Sequence, residues 1–404
     1  MNDPTKKRIL LGLTGGIAAY KAAELLRLLK QEEIDVQVVL TEAASRFVGE
    51  ATLQALSGNP VYSDLWDSRI NNNMAHIELS RDRGAIVIAP ASADFIAKLA
   101  HGLADDLLST LCLARECPLA VVPAMNRSMW ENPATQRNIA QLRQDGIVVF
   151  GPASGAQACG ETGMGRMLEA QDLLYTISAW LQPKYLQGKR VLVTAGPTFE
   201  AIDAVRGITN LSSGKMGFAI ARAAYEAGAD VTLIAGPTAL ATISTIDVVK
   251  VTTAVEMFSA VRERIAANEL FISVAAVADY HVTSPSTQKI KKDSQNLRLE
   301  LNLNPDILQY VTELPNPPFC VGFAAESENL YENAEKKRRR KNLPLLAANL
   351  AQTAIGSDDN ELILFDDRGS HVLPRAAKLT LARQLIQHIA VLYSEHLTQL
   401  TIKK

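Results

Sequence analysis

Apolar residues along the chain fall into short uninterrupted runs separated by segments with helical spacing. The first run, ILLGLT, meets Gly15 and Gly16. Ala18, Ala22, Leu25 and Leu29 then follow at intervals of three and four, and VQVVLT comes next. Continuous apolar runs of this length read as strands buried on both faces, so strand, turn, helix, strand opens a parallel α/β domain. AIVIAP (85–90), LAVVPA (119–124) and GIVVFG (146–151) supply further strands, and a helix-like stretch ends at Trp180 and Leu181. The polar piece QPKYLQGKR follows, after which the pattern restarts with RVLVTAGPT. KMGFAIARAAYEAGA reads as a helix, DVTLIAGPT as a strand, VEMFSAVRERIAAN as a helix, and LFISVAAV and PFCVGFAAE as strands. This predicts two doubly wound, Rossmann-like parallel-sheet domains, residues 1–185 and 186–404. The GPT tripeptides at 196–198 and 236–238 mark strand exits, where such sheets bind ligands.

The length of 404 residues agrees with two cores rather than one. With 48% hydrophobic and 21% charged residues the chain is expected to fold. A net charge of -2 gives no global attraction to nucleic acid or to an anionic membrane. The basic cluster KKRRRK (336–341) has no interleaved aromatics and continues a helix starting near Asn329, so that Lys337 and Lys341 share a face. The N-terminal apolar run is short and lacks a small-residue cleavage site, so it reads as a strand rather than a signal, and no segment has the roughly 20 apolar residues of a membrane span. Cys112, Cys117, Cys159 and Cys320 show no metal-ligand or CxxC spacing, which fits a reducing cytoplasm.

Several residues are candidates for chemistry. Gly12, Gly15 and Gly16 sit where a strand turns into a helix, a place for a phosphate. Their GxxGG spacing, with Leu40-Thr41 rather than an acid at the next strand exit, disfavours a dinucleotide and leaves Thr41 for a mononucleotide phosphate, or a turn without ligand. His76, alone in NNNMAHIELS, is a general acid/base or a structural histidine. In PAMNRSMW, Asn126 at a strand exit either donates to a carboxylate beside Met125, Met129 and Trp130 or caps a helix. Cys159 lies in GAQACGETGMGR, whose glycines imply an adaptable loop able to bring a thiol to a substrate, or carry an incidental cysteine. NLSSGKMG (210–217) fails the Walker template, yet Asn210, Ser212, Ser213 and Gly214 precede a helix that could bind an anion or simply be capped. The lysines of KIKK (289–292) either reach a triphosphate or are solvated.

Taken in order, GLTGGIAAYK, His76, APASADFIAKLAHGLADDLLST, PAMNRSMW and ACGETGMGR resemble the flavin-containing cysteine decarboxylases. TAGPTFEAIDAVRGITNLSSGKMG, VAAVADY, KIKK, NPDI and GFAAES with the basic helix resemble the ligases fused to them in the bifunctional phosphopantothenoylcysteine decarboxylase and phosphopantothenate-cysteine ligase family of bacterial coenzyme A synthesis. The resemblance covers nearly the whole chain. Phe199, Ala201 and Leu350 stand where that family usually has arginine, proline and aspartate. It implies a flavodoxin-like flavoprotein domain followed by a nucleotide-binding ligase domain. FMN would lie near Gly15, Gly16 and Thr41, between the segments of Ser92 and of Ser109 and Thr110. His76 would assist oxidation and decarboxylation, Asn126 hold the substrate carboxylate, and Cys159 protonate the product. In the ligase, 4'-phosphopantothenate would be activated by CTP with Mg2+ and joined to cysteine. Lys289, Lys337 and Lys341 would neutralise the triphosphate, and Asp279 would stand near the metal. Ser273, Val274, Ala275, Asp279, Pro305, Asp306, Ile307, Leu308 and Phe323 would shape the cytidine site, with Asn210 orienting the acyl intermediate. The family further implies trimers of the first domain and dimers of the second combined in a dodecamer. A chain with only the decarboxylase active, or a regulatory relative, are the competing readings.

Overall fold

The computed structural model describes residues 8–70, 74–158, 160–241, 244–291, 297–350 and 356–402, with side chains described as far as residue 399. It divides into two units, residues 1–181 and 182–404.

In the first unit, strands β1 (Arg8–Leu13), β2 (Asp35–Leu40), β3 (Val61–Tyr62), β4 (Ala85–Ala91), β5 (Leu119–Pro123) and β6 (Val148–Val149) form one sheet in the order β3-β2-β1-β4-β5-β6. Every neighbouring pair is parallel. With the two-residue edge β3 set aside, the order is the 2-1-3-4-5 of flavodoxin-like sheets. Strand alternation builds two cores. Ile9, Leu11 and Leu13 face helices Ala19–Gln31 and Ala170–Trp180, while Leu10, Ile86 and Ile88 face helices Ala93–His101, Leu107–Ala114 and Pro133–Gln144. The helix Ala19–Gln31 forms because Ala22, Leu25, Leu26 and Leu29 make one apolar face, all fully buried. Each such leucine contributes about 1.5–3 kcal/mol. Gly12 is needed on β1 because a Cβ there would lie 2.6 Å from Leu108 of the opposite helix. A glycine-rich antiparallel hairpin, β7 (Ala153–Ala156) and β8 (Thr162–Arg166), follows the sheet.

The second unit repeats the plan. Strands β9 (Arg190–Ala195), β12 (Asp230–Ala235), β13 (Asp247–Lys250), β14 (Leu270–Ser273), β17 (Phe319–Glu326) and β18 (Leu345–Leu350) run parallel in the order β13-β12-β9-β14-β17-β18. Antiparallel strands β19 (Asp359–Asp366) and β20 (Gly369–Ala377) extend one edge, and the helix Lys378–Ile402 ends the described chain. Two small hairpins, β10 (Phe199–Ala201) with β11 (Gly207–Thr209) and β15 (Tyr280–Val282) with β16 (Leu301–Leu303), stand outside the sheet. The predicted strand over 270–277 stops at Ser273, because Val274 and Ala275 turn their N–H groups onto the Thr194 hydroxyl, both at 3.3 Å. The QPKYLQGKR piece is docked rather than free: Leu186 N donates to Ala227 O at 2.9 Å and Gly188 N to Gly228 O at 3.0 Å. Beside it the buried Glu226 carboxylate is gripped by Arg222 at 2.9 Å and Arg383 at 2.6 Å.

Candidate active sites

In each unit the strand order reverses beside the first strand, and the chain leaves the carboxyl ends of the strands there. In the first unit this point lies between β1 and β4. Thr14 joins the two exits: its hydroxyl donates to Pro90 O at 2.8 Å and accepts from Ser92 N at 2.9 Å. Ser92 then caps its helix, accepting from Phe95 N at 3.2 Å. A cavity of about 630 Å³ opens above, lined by Gly15, Gly16, Ile17, Ala18, Tyr20, Lys21, Ser92, Ala93, Ala124, Met125, Asn126, Met129 and residues of the β7-β8 hairpin. A methyl at Gly15 would sit 2.6 Å from Ala43 Cβ, so only glycine lets this turn pass; at Gly16 it would meet open space.

Asn126 caps a helix, and its amide is turned to a carboxylate of the protein itself. Its Oδ1 accepts from Ser128 N at 2.7 Å, which caps helix Arg127–Glu131, and that bond fixes the direction of the NH2 group. The NH2 donates to the Glu161 carboxylate at 2.8 Å. An amide held in this way presents donors to a carboxylate without adding charge. The hairpin is locked behind it, with Met125 N donating to Gly165 O at 2.9 Å and Gln157 Nε2 to Met164 O at 3.0 Å.

Lys21, passed over in the sequence, is 4% exposed in the cavity wall. Its ammonium donates to Met167 O at 3.0 Å and to Glu169 at 2.9 Å, and this hydrogen bond leads the effects that hold the Glu169 carboxyl below the usual carboxylate range. Its partners lie 146 and 148 residues away, beyond any local pattern.

Other sequence candidates lie elsewhere. Thr41, His76, Ser109 and Thr110 are outside the cavity lining. Thr41 caps a short helix, accepting from Ala44 N at 3.3 Å. Ser109 is fully buried in a capping box with Asp106, and the Thr110 hydroxyl donates to Asp106 O at 2.7 Å. His76 is half-buried on the first turn of helix Ala75–Ser80. Cys159 falls outside the described residues.

In the second unit the reversal lies between β9 and β14. The two GPT loops are packed on each other there, for a Cβ on Gly236 would lie 1.8 Å from Pro197 O. Asn210 Nδ2 donates to Ala276 O at 2.8 Å while its Oδ1 accepts from Ser212 N at 3.0 Å, so the 210–214 loop is tied to the exit of β14. The following helix starts at Lys215 behind Gly214, which is left-handed at φ 77° and gives no side-chain cap. The exits of β14 and β17 bring the remaining candidates together. Asn304 Nδ2 donates to Ala278 O at 2.8 Å, and Asn304 N to Asp279 O at 2.8 Å. Asp306 caps helix Ile307–Thr312, accepting from Gln309 N at 3.0 Å. Ile307 and Leu308 open this helix with their side chains in the core. Lys337 donates to Phe323 O at 2.8 Å, and Lys341 reaches Asp306 at 2.6 Å. Burial, then the neighbouring Lys341 charge, pulls the Lys337 ammonium below its usual range.

Lys289 is exposed on a loop pinned from behind. Ile290 N donates to the buried Asp203 carboxylate at 3.1 Å, and Arg206, itself paired with Asp203, donates to Ile290 O at 2.9 Å. These partners are 84 and 87 residues from Ile290, too far for any local pattern to mark them. Among the described residues no helix is long and apolar enough to cross a membrane.

A family model described as Flavoprotein matches residues 1–182, and one described as the DNA/pantothenate metabolism flavoprotein C-terminal domain matches residues 186–392. The coenzyme A biosynthesis bifunctional protein CoaBC of Vibrio cholerae serotype O1 is 48% identical over 395 residues, covering 96% of this chain and 99% of its own. The chain belongs to the CoaBC family. The CoaBC protein of Haemophilus influenzae is also 48% identical over 395 residues, 97% of this chain and 99% of its own. A crystal structure of the C-terminal domain of a CoaBC protein is 37% identical and covers 52% of this chain and 99% of its own, with a TM-score of 0.46. As a CoaBC member the chain is a bifunctional enzyme of coenzyme A biosynthesis, a flavoprotein decarboxylase in its first half and a phosphopantothenate-cysteine ligase in its second.

Proposed function

We propose that residues 186–404 join 4'-phosphopantothenate to cysteine with CTP, and that residues 1–185 decarboxylate the resulting phosphopantothenoylcysteine with FMN. The observation that carries the first half is the Asn126 amide, aimed by its own capping bond and already satisfied by a carboxylate at 2.8 Å. A substrate carboxylate takes the place of Glu161 there.

FMN fits the cavity. Gly15 and Gly16 leave the turn open, Ser92 starts a helix whose N–H groups suit a phosphate, and Ile17, Ala18, Met125 and Met129 give apolar walls for a planar ring. When bound, FMN supplies the two-electron chemistry that gives loss of CO2 an electron sink. The chain's own groups do the rest. Asn126 fixes the carboxylate so that the bond to be broken is held in one orientation, and the apolar lining keeps water from the charge that develops. Lys21 fixes the Met167 end of the wall. Cys159 is the proton donor to the product and His76 the acid/base of the first step, while Thr41, Ser109 and Thr110 belong to the flavin-binding segments. These assignments rest on resemblance.

In the ligase, the carboxylate oxygen of 4'-phosphopantothenate attacks the α-phosphorus of CTP, the bond to the β-phosphate breaks, and pyrophosphate leaves. The cysteine amine then attacks the acyl carbon, and CMP leaves as the amide forms. Lys289, Lys337 and Lys341 balance the phosphate charge. Asp279 is exposed and would offer a carboxylate to Mg2+, which is held by one or two carboxylates alongside substrate phosphates. Ser273, Val274, Ala275, Pro305, Asp306, the backbone of Ile307 and Leu308, and Phe323 frame the cytidine. Asn210, fixed at both ends of its amide, orients the acyl intermediate. The enzyme works in the cytoplasm as a homo-oligomer, a dodecamer of trimers and dimers.

The test is Cys159→Ser, which should keep FMN and release CO2 but accumulate the unreduced enethiol. Normal 4'-phosphopantetheine formation by that variant refutes the role. Lys289→Gln should slow CTP-dependent ligation, and wild-type ligation overturns its assignment.

A further inference from the structure

We propose that Asp366, His371 and His388 form a binding site for one divalent transition-metal ion of the zinc class, tying the last β-hairpin to the C-terminal helix. None of the three is among the residues assigned above to either reaction. Asp366 ends β19 with its side chain 1% exposed, His371 lies across the turn on β20, and His388 projects from helix Lys378–Ile402. Both rings turn the same nitrogen to this carboxylate. His388 Nε2 is 2.8 Å from Oδ2, and His371 Nε2 is 3.1 Å from the same oxygen. The three donor atoms lie within 4.8 Å of one another, and the rings stand 5.0 Å apart between centroids.

The chemistry selects the ion. Two imidazole nitrogens and one carboxylate suit zinc and its neighbours in the first transition row, whereas Mg2+ and Ca2+ take oxygen ligands. Tetrahedral bonds of about 2.0–2.2 Å hold ligand atoms roughly 3.4 Å apart, so from the shared carboxylate oxygen the His371 nitrogen at 3.1 Å withdraws by about 0.3 Å and the His388 nitrogen at 2.8 Å by about 0.6 Å. The carboxylate is already oriented from behind, since Arg368 N donates to its Oδ1 at 2.8 Å. The rings are 38% and 23% exposed, which leaves an entry path and room for water as fourth ligand. Since the three ligands come from two strands and a helix, an ion binds the folded unit and stabilises it.

The experiment uses the full chain, stripped with EDTA and dialysed, then titrated with ZnCl2 by calorimetry and followed by thermal unfolding. The expected result is one Zn2+ per chain with a rise of several degrees in an unfolding transition. The His371→Gln, His388→Gln double variant should lose both and keep ligation. His371→Gln alone, at a side chain 38% exposed, should fold and weaken binding about tenfold or more. Equal zinc affinity in wild type and double variant, or no stoichiometric binding by wild type at micromolar zinc, overturns the proposal.

Discussion

Gly165→Ala is the sharpest perturbation of the decarboxylase cavity because it acts on Asn126 without replacing a polar side chain. Gly165 has φ +122°, a backbone conformation L side chains rarely adopt, and a Cβ there would lie 2.5 Å from Met125 O and 3.3 Å from Asn126 O. Holding alanine in that conformation costs about 1–3 kcal/mol. Ordinary contact begins at 3.4 Å, so the Met125 carbonyl must retreat by about 0.9 Å (3.4 less 2.5), and Asn126 moves with it. A shift near 1 Å in a positioning group costs about 100-fold in rate, or about 2.7 kcal/mol of barrier. The variant should melt roughly 2–10 °C lower in its first unit. It should lose about 100-fold in kcat/KM for CO2 release from phosphopantothenoylcysteine, and ligate at the wild-type rate. Flavin absorbance after gel filtration separates lost cofactor from lost alignment. A variant that retains FMN and decarboxylates at the wild-type rate would refute the claim that the hairpin aims Asn126.

Burial pushes the Cys112 and Cys320 thiols up to about 12, so at pH 8 roughly one in ten thousand is thiolate; native alkylation followed by peptide mapping should spare both and modify them only after denaturation. Burial raises the Asp306 carboxyl, but the hydrogen bonds from Lys341 and Gln309 and the lysine charges outweigh it and leave it below the usual carboxylate range. A depressed folded value means the stabilisation is present above the unfolded value near pH 4 and is lost as pH falls through the folded one. Asp306→Asn keeps the cap and removes the charge. Its deficit, about 1 kcal/mol or less for so exposed a group, should be seen by denaturant melts at pH 7 and shrink steadily as pH falls from about 4 toward the depressed folded value. A deficit that acid does not reduce would show the loss to be steric. Gly236→Ala, whose Cβ meets Pro197 O at 1.8 Å, should separate the GPT loops and abolish ligation, while decarboxylation by the first unit continues.

Much of the fold was legible because parallel strands buried on both faces leave unbroken apolar runs, as ILLGL and AIVIAP do, and because Ala22, Leu25 and Leu29 keep helical spacing. The hairpin over 153–166 escaped because its glycines break any alternation, and β20 because GSHVLPRAA is mostly exposed. The site was half legible. A strand exit marks Asn126, but Glu161, 35 residues on, reads only as one more loop residue until the hairpin folds back. Lys21 and the Asp203-Arg206 pin are invisible for the same reason, since their partners are set by sheet order and not by any period in the chain. Thr41 was legible as a hydroxyl at a strand exit beside the Gly15-Gly16 turn, whereas Ser109 came in only with the resemblance, because a serine in a capping box carries no local mark of a ligand.

The central claim, two successive reactions on one chain, is tested most directly by giving the purified protein 4'-phosphopantothenate, cysteine, CTP and Mg2+ and following products by mass. Pyrophosphate, CMP, CO2 and 4'-phosphopantetheine are expected, all lost when CTP is left out. Accumulation of phosphopantothenoylcysteine without CO2 from FMN-replete protein, or no CTP-dependent product at all, would contradict it.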